Sequence, residues 1–474
     1  MAWTTAEFWI EGYKWAWPAL FYGLGLLATI DAIWNGRTSQ GTLAWVTVLT
    51  FIPFIALPLY LFFGSRRFHG YKNARKASSK VLKELHFEQR MCANAFINSD
   101  KSPAIIPLEA LSRLPQSEEN NVRLLINGEQ TFAHIFNAIE SAKETILVQF
   151  YIVNDDELGR RLKQALIDKA EQGVRVYFLY DEIGSVGLRY RYFQQMKKSG
   201  IEFSRFNPRK FRRRLQLNFR NHRKLVVVDS KTCVIGGHNV GNEYLGRIPN
   251  EDLWRDTHLQ IDGPATLAAQ LSFVEDWYWA QDNVINLNWQ VYPTESNVKT
   301  LIIPSGPADA TETMSLSFVQ LILSAQKRIW IATPYFVPDL NVMGALQLAA
   351  LKGLDIRILL PDKSDNFIIS YATRNYVSQL RKLGITFLQY QPGFLHQKTL
   401  LVDDHLSYIG SANLDNRSLR INFELNALIE DKAFAKDVES MLQEDFRVSI
   451  NFPKESNFFT TLATKAARLF SPIL

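Results

Sequence analysis

Two stretches of this chain carry the same chemistry at the same spacing, and that duplication restricts the fold more than any other feature. NHRKLVVVDSKTCVIGGHN runs from Asn221 to Asn239, and LHQKTLLVDDHLSYIGSAN runs from Leu395 to Asn413. Each has a His, a Lys two residues on, an Asp five beyond the Lys, a Gly seven beyond the Asp and an Asn three beyond the Gly. His222, Lys224, Asp229, Gly236 and Asn239 therefore answer to His396, Lys398, Asp403, Gly410 and Asn413. A chain repeated in this way is expected to fold as two copies of one unit.

In a strand, side chains at i and i+2 share a face, so His and Lys project together while the apolar runs LVVV and TLLV anchor the strand after them. The pattern sets an imidazole beside an ammonium. A protonated Lys is no metal ligand, which argues against a zinc centre, and a phosphate suits the pair better. The ammonium offers a point charge to a phosphoryl oxygen, the Asn amide a hydrogen bond and the Gly a close backbone approach. The imidazole can then serve as nucleophile or as proton donor. No metal and no other cofactor is expected, and the sequence carries no P-loop or dinucleotide-binding fingerprint.

These paired HxKxxxxD motifs resemble those of the phospholipase D superfamily. Longer stretches, YQPGFLHQKTLLVDD, IATPYFVPD, RNHRKLVVVD and NLDNRSLRINFELN, are similar to bacterial cardiolipin synthases, and the resemblance covers almost the whole chain. It implies an enzyme that moves a phosphatidyl group from one phosphatidylglycerol to another through a phosphohistidine, giving cardiolipin and glycerol. Family habit casts His222 as nucleophile and His396 as acid/base, although motifs so alike do not separate the two roles. The resemblance counts Lys224, Asp229, Lys398 and Asp403 with the histidines as catalytic, and gives Asn239, Asn413 and Ser411 supporting positions at the phosphate. Behind each imidazole it places a carboxylate. Asp256 and Glu424 hold matching positions on the strand after each motif, and each is expected to serve the His of its own copy. The alternatives are a hydrolytic phospholipase D or another phosphatidyltransferase such as a phosphatidylserine synthase. A phosphodiesterase nuclease belongs to a different class and sits badly with the apolar N-terminus, so no nucleic acid partner is expected. A catalytically dead lipid scaffold is disfavoured because all six His, Lys and Asp positions are intact.

The duplication extends beyond the motifs. SAKETILVQFYI (141–152) echoes SAQKRIWIATPYF (324–336), EQGVRVYFLYD (171–181) echoes LKGLDIRILLPD (351–362), and SGIEF (199–203) echoes LGITF (383–387). Each pair reads as a helix end followed by a strand, so the expected fold is α/β with two tandem phospholipase D-like repeats, residues 122–290 and 291–474. A face-to-face arrangement with pseudo-twofold symmetry would bring His222 and His396 together. The two copies differ ahead of the motif, where the first is ten residues longer and the surplus includes Arg209, Lys210, Arg212, Arg213 and Arg214. That insertion fits either a clamp on an anionic headgroup or a solvated loop. His238 and His258 match no catalytic position and read as structural.

The N-terminus has a different character. Apolar stretches at about 15–34 and 42–64 predict two transmembrane helices forming an anchor over 1–64, with Trp15, Trp17, Trp34 and Trp45 near their ends and Pro53 and Pro58 kinking the second. Residues 65–121 form a basic juxtamembrane segment and linker, beginning with Arg66, Arg67, Lys72, Arg75, Lys76 and Lys80. By the positive-inside rule this segment is cytoplasmic, which predicts a multi-pass protein of the bacterial inner membrane with its catalytic part on the cytoplasmic side. The expected partners are phosphatidylglycerol and other anionic phospholipids. Cys92 and Cys233 fit no disulfide or metal spacing. The tail has Phe458, Phe459, Leu462, Ala466, Leu469 and Phe470 at roughly helical spacing, which predicts a helix docked on the core or lying on a membrane.

Overall fold

The computed structural model describes residues 5–36, 39–64, 71, 102–206, 219–246, 253–364, 366–453, 458–469 and 471. Arg212, Arg213 and Arg214 lie outside the described residues, as does the basic juxtamembrane run. The chain divides into two compact units, one with the N-terminal helices and the other with both copies of the motif.

In the first unit, helix α1 spans Thr5–Asn35, and its Ala16–Asn35 segment is long and apolar enough to cross a membrane by length and composition. The second expected span is not one helix. It is divided at Ile52 into α2 (Ser39–Phe51) and α3 (Pro53–Phe63). Pro53 has no N–H to continue the ladder and its ring crowds the preceding turn, so one helix stops and another begins with proline at its first position, where the missing donor costs nothing. Pro58 is carried inside α3. Helix α1 packs on both pieces, with its small Ala28 and Ala32 letting backbones approach Leu49 of α2 and Ala56 and Tyr60 of α3. Tyr60 donates to Asp31 Oδ2 at 2.7 Å and Asn35 Nδ2 to Asp31 Oδ1 at 2.9 Å, which satisfies the carboxylate inside the hairpin. Leu26, Leu27, Ile30, Ile33, Phe51 and Ile55 are left exposed on the outside.

The second unit is built on one 15-stranded sheet. In all, the first copy has β1 (Ser117–Ile126), β2 (Thr145–Phe150), β3 (Arg175–Tyr180), β4 (Glu202–Arg205), β5 (Leu225–Val228), β6 (Thr232–Gly236), β7 (Leu253–Arg255) and β8 (Thr257–Asp262). The second has β9 (Val298–Ser305), β10 (Arg328–Ala332), β11 (Phe336–Val337), β12 (Asp355–Pro361), β13 (Thr386–Tyr390), β14 (Gly393–Leu395), β15 (Thr399–Val402), β16 (Leu406–Gly410), β17 (Leu414–Asp415), β18 (Glu424–Glu430) and β19 (Ser449–Asn451). Four of these strands, β7, β11, β14 and β17, lie outside the large sheet as the two-stranded pairs β7–β14 and β11–β17. From one edge the order is β4-β3-β2-β5-β6-β8-β1, and it continues as β9-β18-β16-β15-β10-β12-β13-β19. Apart from β19, the second half reads as the first half reversed, so a pseudo-twofold axis passes between β1 and β9. To the expected face-to-face pairing about a pseudo-twofold axis this order adds an edge-to-edge join. An antiparallel β1–β9 pair, irregular between Ser117 and Asn120, joins them edge to edge, while β6 and β8 also approach β16 and β18 across the junction.

The Asp of each motif sits at the opposite end of the His-Lys strand from the His. Asp229 has a left-handed backbone (φ 49°), which a short polar side chain tolerates, and its carboxylate accepts from the N–H groups of Lys143, Glu144 and Thr145 at 2.8 Å each. Asp403 (φ 53°) does the same for Gln326, Lys327 and Arg328, at 2.8 to 3.0 Å for its shortest contacts. Both are braces between the turn after the motif strand and the start of its neighbour, which corrects their expected place at the reacting centre.

The tail helix, Phe458–Arg468, packs on the helix Phe367–Arg381, and the Tyr376 hydroxyl lies 3.0 Å from Ser471 Oγ. Its buried residues are Thr464 and Ala467, while Phe459, Leu462 and Leu469 point outward, so the apolar stripe is not the docked face.

Replacing Asp229 or Asp403 with Ala leaves three backbone donors without their acceptor. We expect a stability loss of about 2–4 kcal/mol, read as a lower unfolding midpoint in detergent. A midpoint equal to that of the parent would show the brace to be dispensable.

Candidate active site

Each catalytic-type imidazole is paired with a carboxylate from the other copy. His222 Nδ1 lies 3.0 Å from Glu424 Oε2, and His396 Nδ1 lies 2.6 Å from Asp256 Oδ2. This overturns the expectation of pairing within a copy. Local backbone pairing explains the exchange. The His222 N–H donates to the Phe423 carbonyl at 2.9 Å, and the His396 N–H donates to the Arg255 carbonyl at 2.7 Å, so the residue before each carboxylate holds the backbone of the other copy's His. On one side the contact is the bridge between Asn221 and Phe423, and on the other it is the parallel pair β7–β14. Both carboxylates are fully buried, and the imidazoles are nearly so.

The neighbours of the two pairs are not identical. The Ser411 hydroxyl donates to Glu424 Oε2 at 2.6 Å and accepts from the Leu425 N–H at 2.9 Å, and the Ser411 carbonyl lies 3.1 Å from His222 Nδ1. The first copy has Gly237 at that position, because any side chain there would run into the Asp256 carboxylate. Asp256 accepts instead from the Thr257 N–H at 2.8 Å. Lys224 donates to the His222 carbonyl at 2.6 Å, and Lys398 to the His396 carbonyl, with its Nζ 3.9 Å from Asp256 Oδ2. Asn239 is engaged by the scaffold, accepting from the Ile152 N–H at 3.1 Å and donating to the Tyr244 hydroxyl at 3.1 Å. Asn413 donates to Asp415 at 3.4 Å, and its carbonyl oxygen has no partner among the described residues. His238 and His258 form a buried pair, Nδ1 to Nδ1 3.1 Å, apart from the reacting imidazoles.

Sequence reasoning passes over the residue between His and Lys in each motif. Arg223 is wholly buried, pairs with Asp276 at 2.9 Å, and donates to the carbonyls of Glu424, Ser272 and Ser305, which ties the first motif to the second copy. Gln397 donates to Asp445 at 3.1 Å, and Arg255 meets the same carboxylate at 2.8 Å. A signal exists in the pattern: in a strand, the residue after His points into the core, and a charge there requires a buried acid.

A profile of the family described as "Cardiolipin synthase, PLD-like domain" matches residues 135–272 and 318–446, and a profile described as "Phospholipase_D-nuclease N-terminal" matches 23–65. Cardiolipin synthase A of Pseudomonas entomophila (strain L48) is 44% identical over 469 residues, 96% of this chain and 97% of that protein. Cardiolipin synthase A of Pseudomonas aeruginosa (strain LESB58) is 44% identical over 461 residues, 95% of this chain and 94% of that protein. The chain belongs to the cardiolipin synthase family. The crystal structure of phosphatidylserine synthase from Haemophilus influenzae Rd KW20 shares the fold, with a TM-score of 0.60 at 16% identity, over 78% of this chain and 100% of that one.

In this family member burial disfavours the charged form of both imidazoles, and the buried carboxylate beside each opposes that effect. Burial lowers the pKa of His222, and burial with Lys398 nearby lowers that of His396 to about 3. Burial pushes Glu424 and Asp256 upward, but the imidazoles and lysines outweigh it and hold both carboxyls below their usual range. The Ser411 carbonyl and the ionised Glu424 are acceptors only, so Nδ1 of His222 carries the proton and Nε2 presents its lone pair. Nδ1 of His396 lies 2.6 Å from Asp256 Oδ2 and 2.8 Å from Lys398 Nζ, and ionised Asp256, an acceptor only, favours the proton on that nitrogen. Burial also lowers Lys224, to about 7.

Asp256→Asn and Glu424→Gln are each expected to cut activity by about 10²-fold or more through a mis-set tautomer. In Asp256→Asn, the downfield Nδ1–H resonance that disappears should be the one absent from His396→Ala. Loss of the His222 resonance instead would restore pairing within a copy. Lys224 sheds its proton as pH rises through about 7, so kcat/KM for an anionic phosphodiester should fall above that pH. In Lys224→Arg, which stays charged, the fall should move to higher pH; an unmoved limb assigns it to another group.

Proposed function

We propose that the chain transfers a phosphatidyl group from one phosphatidylglycerol to a second by two displacements at this site. The crossed pairing of two imidazoles with two buried carboxylates is the observation that carries the reading, because it turns Nε2 of each ring away from its carboxylate and sets it beside two lysines. Nε2 of one imidazole, His222 by family habit, attacks phosphorus, and the bond to the glycerol oxygen breaks. The other imidazole, His396, enters this step as an imidazolium, with Nδ1–H held by Asp256, gives that oxygen its Nε2 proton and becomes neutral, and glycerol leaves. It then takes the proton from a hydroxyl of the second phosphatidylglycerol, whose oxygen attacks phosphorus as the N–P bond breaks. Lys224 and Lys398 hold the non-bridging oxygens while charge shifts among them. One phosphodiester is lost and one is made, so no nucleotide drives the exchange. Asp229 and Asp403 act at a distance by holding the motif strands.

Anchoring belongs to the same reading. Helix α1 would cross the bilayer, with the broken α2–α3 stretch returning the chain, so that the protein is multi-pass in the bacterial inner membrane and its catalytic unit follows on the cytoplasmic side. The basic insertion with Arg212, Arg213 and Arg214 would draw anionic lipid to that surface.

The test is purified protein in detergent with phosphatidylglycerol alone. Cardiolipin and glycerol in equal amounts are expected, with activity abolished in His222→Ala and in His396→Ala and unchanged by a chelator. Phosphatidic acid as the product would make the enzyme a hydrolase, and activity lost to a chelator and restored by a divalent ion would overturn the metal-free route.

A further inference from the structure

The two flanks of the pseudo-symmetric site are chemically opposite. On the His222 side, Tyr151 stands edge-on to the imidazole with ring centroids 5.2 Å apart, and Lys224 Nζ lies 5.6 Å from the same tyrosine ring. Arg220, two residues before His222, lies near enough to Tyr151 to favour the charged form of its hydroxyl. Arg417 comes in from the second copy. Its carbonyl accepts from the N–H groups of Ile421 and Asn422 at 2.8 Å each, and the next residue, Phe423, donates to the Arg220 carbonyl at 2.8 Å. The bridge that carries His222 thus also brings the two arginines to one place. They are close enough to disfavour one another's charge, and Arg417 also interacts with Tyr151. All three side chains are only partly buried, whereas the catalytic carboxylates are sealed.

Pseudo-symmetry gives the corresponding positions on the other flank as Pro334, Phe394 and Glu243. There, Phe394 stacks on His396 at 5.9 Å, and Trp254 lies 4.9 Å from it. One flank is aromatic and the other cationic, so the cations are not a requirement of the shared chemistry, which both flanks serve equally.

The carboxylates that face the cationic flank have donors of their own. Asp181 accepts from the N–H groups of Asn221, Ile183 and Gly184 at 3.0 Å each, Asp415 from that of Ser418 at 2.7 Å, and Glu424 from His222 and Ser411. Two planar forks and a phenol hydroxyl, partly open beside the reacting centre, form a set of donors for a phosphodiester.

We propose that Arg220, Arg417 and Tyr151 form a second phosphate subsite, which holds the phosphate of the acceptor phospholipid one glycerol away from the reacting phosphorus. The inference rests on the phosphatidyl-transfer reading above and adds what selects the acceptor. Water and free glycerol lack a second phosphate, whereas an acceptor phosphatidylglycerol carries one three carbons from its terminal hydroxyl. The subsite makes these residues determinants of acceptor choice, and the lysines and histidines continue to handle the transferred group.

The experiment compares two reactions of the same donor in mixed micelles: cardiolipin formation from phosphatidylglycerol, and exchange of labelled glycerol into phosphatidylglycerol, whose acceptor is neutral. In Arg220→Gln and in Arg417→Gln, the KM of cardiolipin formation should rise about tenfold or more, the size expected for loss of a charge-assisted bond, while glycerol exchange changes far less. Persisting exchange also certifies that a variant is folded. If Arg417→Gln fails to fold, Arg220→Gln and Tyr151→Phe carry the comparison. Equal loss of both reactions would place the arginines on the transferred phosphate and overturn the subsite, as would equal retention of both. Wild-type protein that performs neither reaction and releases only phosphatidic acid would overturn the transfer reading itself, a result distinguishable from failure of the subsite in an active transferase.

Discussion

The crossed imidazole–carboxylate pairs are what the second unit is organised around. A carboxylate sealed from water is tolerated only with a cation or strong donors against it, and removing its partner leaves an uncompensated charge worth several kcal/mol. Here each buried carboxylate finds its partner in the opposite copy, His222 for Glu424 and His396 for Asp256. Neither half therefore has a complete site, and the forces that close the junction are the ones that set the tautomers. The buried Arg223–Asp276 and Arg255–Asp445 pairs reinforce the arrangement, because each arginine lies next to a catalytic position and binds atoms that fix it.

Within this symmetry the copies have diverged where the chemistry permits. Glu424 reaches His222 over a longer side chain and is steadied by the Ser411 hydroxyl. Asp256 is shorter, stands against Gly237 and takes a backbone donor in place of the serine. The flanks have diverged further, with Arg220, Arg417 and Tyr151 on one side and Phe394 and Trp254 on the other. A reaction that passes one group between two unlike alcohols gives the two sides different molecules to accommodate, so chemical inequality around an equal pair of histidines has a use.

Several features are legible only in part from the chain. The apolar runs between Lys and Asp of each motif name β5 and β15, and the echoing segments name β2, β3, β4 and their counterparts, because strand formation there follows local pattern. Spacing misleads about Asp229 and Asp403, since it groups them with His and Lys in sequence while the strand carries them to its far end. Pro53 signals a kink and produces a break, because the lost donor and the ring clash fall in the same turn. In the tail, helical spacing of Phe459, Leu462 and Leu469 suggests a docked stripe, yet Thr464 and Ala467 are the buried residues; spacing defines faces but does not say which one meets the core.

The sequence by itself determined that there are two copies of an α/β unit, that each sets a His and a Lys just ahead of a buried strand, and that an apolar helical segment precedes them. These are consequences of periodicity and repetition, which act over a few residues. Only the tertiary structure decided which carboxylate serves which histidine and which side chains border each one. In an internal repeat, pairing within a copy and pairing across copies use the same residue types at the same spacings, so local pattern assigns them equally. The choice is made where the backbone of each histidine hydrogen-bonds to the backbone just before the other copy's acid, which joins a histidine and a carboxylate roughly 140 to 200 positions apart that no local spacing connects.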